Sequence, residues 1–149
     1  MTTALPEVLA AARASGDWNC LVAWVPYAKF MGLRIEVEGD QFRCTLPFTN
    51  TLIGNPRLPA LHGGAVSSFL ECSGIFYLLW HMESAELPKI IDFSVDFLRT
   101  GRAEATHASV VMIKQGQRVA HLRVTAWQSS ADKPIAIGHG NFMLKPESP

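Results

Sequence analysis

The stretch from Ala65 to about His81 constrains this chain more than any other segment. It is apolar nearly all round, carrying Val66, Phe69, Leu70, Ile75, Phe76, Tyr77, Leu78, Leu79 and Trp80, and it holds one acid, Glu71. A helix there would run roughly 17–20 residues, or about 25–30 Å at 1.5 Å per residue. A helix without a broad polar face is unstable on a surface, so the rest of the chain is expected to enclose it. Glu71 also interrupts the only run approaching 18 apolar residues, so no membrane span is expected.

The flanking segments suggest what does the enclosing. Ala4 to Ala14 reads as a short helix, with Leu5, Val8, Leu9 and Ala12 at helical spacing. Asp17 suits the N-cap of a second helical piece through about Val25, ended by Pro26. Leu33–Val37 and Phe42–Leu46 read as strands joined across Glu38-Gly39-Asp40. A loop with Gly54, Pro56 and Pro59 then leads to His62-Gly63-Gly64 and the long helix. Beyond it, Ile91, Phe93, Val95 and Phe97 alternate with Asp92, Ser94 and Asp96, the pattern of a half-buried strand. Three more strands are predicted at Thr106–Ile113, Val119–Trp127 and Ile135–Leu144. The turns between them (Thr100-Gly101-Arg102, Gln115-Gly116-Gln117 and Ser129–Pro134) are short, which favours antiparallel neighbours. No repeat or linker divides the chain. The economical packing is α+β: a curved antiparallel sheet of about six strands wrapped around one long central helix, with short N-terminal helices. The expected organisation is one domain over 1–149, with 1–29 as an N-terminal helical extension.

The 13 basic and 13 acidic residues cancel, which leaves no surplus of cations for binding nucleic acid or an anionic membrane. Cys20, Cys44 and Cys72 form no CxxC pair and fit a reducing compartment as small hydrophobes. The N-terminal stretch lacks a basic leader and contains Glu7, so a cytoplasmic location is expected rather than export. The histidines His81, His107, His121 and His139 show no HxH or HExxH spacing, and no metal is expected. Ser67 and Ser68 are not in a GxSxG elbow, and are expected to line the helix near a cleft or pack on the sheet.

Glu71 is the residue with chemical potential. An unpaired carboxylate in apolar surroundings costs several kcal/mol or remains protonated through a raised pKa. Either the helix has one wet edge and Glu71 points out of it, or the group is a general base or nucleophile in a partly dry cleft. His62-Gly63-Gly64 bears on the choice, because the first N–H groups of a helix lack intrahelical partners and sit at its positive end. Such donors are suited to holding an oxyanion. Glu71 lies eight residues after Gly63, about two turns and about 12 Å along the axis. That is too far for both to grip one carbonyl within one chain, but a symmetric dimer would bring one helix end to the other's Glu71.

The run Gly54-Asn55-Pro56-Arg57-Leu58-Pro59-Ala60-Leu61-His62-Gly63-Gly64, with an acid nine residues after the histidine, resembles hotdog-fold acyl-CoA thioesterases of the phenylacetate-pathway (PaaI-like) group. Asp92-Phe93-Ser94-Val95-Asp96-Phe97-Leu98-Arg99 is similar to that family's strand after the central helix. The resemblance implies a hotdog fold, a homodimer or homotetramer with active sites at the subunit interface, and hydrolysis of an acyl-CoA thioester without metal or cofactor. It implies Glu71 as catalytic carboxylate, the Gly63 N–H as the donor polarising the carbonyl, Asn55 as a partner of the attacking water or of the carboxylate, and His62 as a positioning residue. Gly64, Ser67 and Ser68 would border the substrate, and Arg99 and Arg102 would meet the phosphates of coenzyme A or act as ordinary solvated charges. Two alternatives remain: a non-catalytic acyl-CoA-binding hotdog protein, and an acyl-ACP dehydratase. The dehydratase would need a histidine where this chain has Thr51.

Overall fold

The computed structural model describes residues 3–144; Met1 and Thr2 of the expected extension lie outside the described residues. Three helices come first: α1 (Leu5–Ser15), α2 (Asn19–Trp24) and α3 (Pro26–Met31). Helix α1 buries the expected stripe of Leu5, Val8, Leu9 and Ala12, and it ends at Gly16, whose φ of 77° is left-handed. The N-cap of α2 is Trp18 rather than the expected Asp17, which lies one residue before it and whose carboxylate accepts the Asn19 N–H at 3.0 Å. Pro26 ends α2 as expected, and it also opens α3, which the sequence pattern had not suggested. A proline suits that first helical position because its missing N–H would have no partner there.

The strands are β1 (Arg34–Glu38), β2 (Gln41–Leu46), β3 (Ile53–Asn55), β4 (Ala60–Leu61), β5 (Lys89–Phe97), β6 (Thr106–Gln115), β7 (Val119–Trp127) and β8 (Ala136–Met143). Six form one antiparallel sheet in the order β1-β2-β6-β7-β8-β5. The other two, β3 and β4, form a small hairpin inside the segment expected to be loop. The expectation from short connections holds for β6-β7-β8 but not for β5, which pairs with β8 rather than β6. The segment after β5 therefore crosses the ends of β8 and β7. It is held there by Leu98 and Arg99 N–H groups, which both donate to the Ile135 carbonyl at 2.8 and 3.1 Å.

Helix α4 (Gly63–His81) packs across the sheet, touching β2, β5, β6, β7 and β8. It buries Val66, Phe69, Leu70, Phe76, Leu78 and Leu79, each stabilising the fold by about 1.5–3 kcal/mol relative to exposure. Truncating Leu70 to alanine would cost about 2–5 kcal/mol through lost contacts and a cavity. The enclosure is one-sided: Ser67, Ser68, Glu71, Cys72 and Ile75 form a stripe that stays only half-buried within the chain. Where β5 meets β8, the Phe93 ring lies directly on Gly138 and Gly140, and a Cβ at either would fall within 2.6 Å of it. Close packing thus accounts for the Gly138-His139-Gly140 run.

The two margins of the sheet are finished differently. At β1, the Asn19 amide donates to the Ile35 carbonyl (3.0 Å) and accepts the Ile35 N–H (2.8 Å), as a neighbouring strand would. At β5, a nine-residue strand pairs with β8 on one side with a break in register at Ile91, while Ile91, Phe97 and the adjoining Leu98 are about half exposed (50, 56 and 49%). Among the described residues, no helix is long and apolar enough to cross a membrane.

Candidate active site

The local sequence at the start of α4 determines which backbone donors are free. His62 occupies the N-cap in an extended conformation, and its ring Nδ1 accepts the Gly64 N–H at 2.9 Å. A Cβ on Gly64 would sit 2.9 Å from that ring, so the cap needs glycine there. The Ala65 and Val66 N–H groups both donate to the His62 carbonyl, at 3.0 and 3.2 Å. Gly63 is left as the one first-turn residue whose N–H has no partner among the described residues. It opens onto a hollow of about 410 Å³ walled chiefly by apolar side chains, among them Leu61, Val66, Phe97 and Ile135. A free donor at a helix N-terminus, beside an apolar wall, is the geometry that stabilises a developing oxyanion.

Farther along the helix, Ser67 and Glu71 follow Gly63 at four-residue intervals and so lie along one side of it. The Ser68 hydroxyl is committed to the Gly64 carbonyl at 2.8 Å, whereas Ser67 Oγ has no such bond among the described residues. Glu71 has neither a hydrogen bond nor an ion pair among the described residues, and burial pushes its carboxyl above the usual range. Its neighbour Cys72 is raised to about 11, first by burial and then by the Glu71 charge, and buried Cys44 to about 12. Both thiols therefore stay protonated near neutral pH and do not compete with Glu71 as nucleophiles.

The remaining expected residues sit on the β3-β4 hairpin and on the segment after β5, flanking the helix start. Asn55, exposed on β3, uses its Oδ1 to accept the Arg57 N–H at 3.0 Å, which leaves its amide NH₂ as donor. The β4 segment is tied to the connection after β5: Leu61 N–H donates to the Gly101 carbonyl at 2.9 Å, and Ala60 bridges Arg102. Arg99 and Arg102 thus lie one loop away from Gly63. They border a second hollow of about 600 Å³ together with Lys133. The sequence reading did not single out Lys133, because the Ser129–Pro134 segment read only as a turn, or Gln128, which falls between that turn and the strand ending at Trp127. The one available signal was a lysine next to a proline that ends a loop. Among the described residues, no three His, Cys, Asp or Glu side chains gather as a metal site would require.

The comparisons with known proteins identify the family and the fold. The family model described as acyl-CoA thioesterase N-terminal domain matches residues 55–143, which hold the β3-β4 hairpin, all of α4 and strands β5 to β8. The medium/long-chain acyl-CoA thioesterase YigI of Escherichia coli is 28% identical over 115 residues, 67% of this chain and 74% of that protein. A crystal structure from Chromobacterium violaceum is 38% identical, covers 95% of this chain and 99% of its own, and superposes with a TM-score of 0.76. In Ralstonia eutropha, a putative thioesterase described as phenylacetic acid degradation-related shares the fold at 18% identity, with coverage of 80% and 91% and a TM-score of 0.71. The chain belongs to the acyl-CoA thioesterase family, thioester hydrolases built on the hotdog fold.

Proposed function

We propose that this protein hydrolyses acyl-CoA thioesters in a site completed by two copies of the chain, with Gly63 from one copy and Glu71 from the other. The observation that carries the reading is the unpartnered Gly63 N–H, kept free while the His62 ring takes the adjacent Gly64 N–H. The thioester carbonyl oxygen would accept from Gly63, which makes its carbon electrophilic. The ionised Glu71 then either takes a proton from water as the oxygen adds to that carbon, or adds itself to form an anhydride that water cleaves. In both routes the C–S bond breaks, the thiolate of coenzyme A leaves and is protonated, and the free acid follows. Asn55 retains an amide donor for the water or the carboxylate, and Ser67 lies one helical turn from each of Gly63 and Glu71 on the same side of α4. Each of these roles draws on the chain's own side chains and backbone, without a metal or cofactor.

The separation of about 12 Å along one helix is what requires the second copy. The open β5 margin, with Ile91, Phe97 and Leu98 exposed, is the surface suited to receive it. The deciding experiment is incubation with a panel of acyl-CoA esters of differing chain length and aromaticity, with release of free thiol followed over time. Turnover of at least one ester is expected. Saturable binding of acyl-CoA without thiol release, at an affinity unchanged in Glu71→Ala, would instead identify a binding protein.

A further inference from the structure

A serine inside a helix commonly folds its hydroxyl back onto the carbonyl four residues earlier. Ser15, Ser68 and Ser73 all do so, donating to the Ala11, Gly64 and Phe69 carbonyls at 2.9, 2.8 and 2.7 Å. Ser67 stands apart from them. Its hydroxyl makes no hydrogen bond among the described residues, although the residue is half-buried and the Gly63 carbonyl lies four positions before it.

The direction of Ser67 gives that free hydroxyl a neighbour. Ser67 and Glu71 are four residues apart on α4, so their Cβ atoms lie about 5–6 Å from each other on one side of the helix. Helical side chains lean toward the N-terminus, which carries the Glu71 carboxylate back over the turn that holds Ser67. The other positions near Glu71 on its helix offer no free hydroxyl. Ser68 is committed to Gly64, Gly74 and Ile75 bring no polar side chain, and the Cys72 thiol stays protonated. No charged side chain acts on Glu71 among the described residues. A hydroxyl oxygen and a carboxylate oxygen at this spacing suit a single water, hydrogen-bonded to each at about 2.7–2.8 Å.

We propose that Ser67 is the positioning residue for the hydrolytic water, its Oγ accepting one hydrogen of that water while the Glu71 carboxylate of the same copy accepts the other. A lone pair of the water oxygen is then left to face the carbonyl carbon held by Gly63 of the second copy. As the new C–O bond forms, Glu71 takes the proton that points at it. The C–S bond then breaks, and the thiolate leaves with the electron pair. This role rests on the thioesterase reading, and it selects the route in which Glu71 activates water over the route through an anhydride.

The first test is Ser67→Ala, assayed by thiol release on an ester that the wild type hydrolyses. Its kcat is expected to fall about tenfold with KM unchanged, as when a hydrogen bond made in the transition state is lost. Wild-type kcat, or a loss carried by KM alone, overturns the role. The second test compares Ser67→Thr with Ser67→Val, which share one shape and differ in the hydroxyl. Ser67→Thr should stay within about threefold of the wild type, and Ser67→Val should show the full loss. Equal kcat in the two folded variants overturns the role, and if melting shows that either fails to fold, Ser67→Ala decides. A single turnover in water labelled with heavy oxygen should place the label in the released acid, and label in the Glu71 carboxylate overturns the role. A wild-type protein that releases no thiol removes the hydrolase and this role together. Thiol release by the wild type with unaffected variants removes the role of Ser67 and leaves the hydrolase standing.

Discussion

The two margins of the sheet meet the same hazard with opposite solutions. An unpaired strand edge invites another strand, and β1 answers by having Asn19 occupy both polar groups of Ile35. Glu36 and Glu38 add charge along that margin. Among the described residues the β5 margin has no such cover and exposes apolar residues instead. One edge is closed by a side-chain mimic of a strand while a longer one is left bare, and the bare one is the edge that the proposed second copy would use. That margin also belongs to the strand leading into the loop beside Gly63, so the edge and the candidate chemistry share one side of the molecule.

The contrast breaks most sharply in activity. Glu71→Gln is expected to lower kcat by at least about 100-fold, and Gly63→Pro by a comparable factor of about 100–1,000 through loss of one oxyanion donor. Proline is tolerated at a first helical position, and the extended backbone of His62 already suits a following proline. Neither variant alone should turn over at the wild-type rate. Mixing the two after brief dissociation should restore activity, because one hybrid site then holds an intact Gly63 and an intact Glu71. No recovery on mixing would show that both groups act within one chain.

Assembly is the next largest effect. Ile91→Lys places a charge on the bare margin, and sedimentation should show the copies separating with loss of thiol release. Glu38→Lys on the covered margin should leave the assembly as it is. Behaviour with the two edges exchanged would refute the assignment of the interface to β5. Asn19→Ala tests the covered margin. Uncovering Ile35 should cost about 1–3 kcal/mol, read as a fall in Tm of roughly 2–4 °C per kcal/mol for a chain of this size.

The smallest effect is electrostatic. Burial raises the Glu71 pKa, so the folded state disfavours the ionised carboxylate. The resulting destabilisation is present above the folded pKa and disappears below the unfolded value of about 4.5. Glu71→Gln should therefore be the more stable protein at pH 7, and its advantage in Tm should vanish as the pH falls to about 4. By the same sign, the acidic limb of the kcat/KM profile should lie above the ordinary glutamate range.

Much of the architecture was legible because its signals are local. The apolar run around Glu71 marked α4, the alternation from Ile91 to Phe97 marked β5, and glycine-bearing turns marked most strand ends. The position of β5 was not legible: pairing with β8 depends on a segment that crosses the ends of two strands, and nothing in Thr100-Gly101-Arg102 encodes that. The β3-β4 hairpin is two or three residues per strand, too short for periodicity to register. At the site, Glu71, His62 and Gly63 stood out because each is chemically unusual in its surroundings. Gln128 did not, since an amide that clamps a distant backbone leaves no mark in its own neighbourhood.

The His62 cap carries one more consequence. A ring nitrogen that accepts the Gly64 N–H must present its lone pair there, so the imidazole hydrogen resides on Nε2 and the free side of the ring is a donor. The Nδ1 lone pair is thus committed to ordering the first turn of α4. The histidine of this motif is thereby spent as a structural cap, and in the proposed reaction the base or nucleophile is left to Glu71.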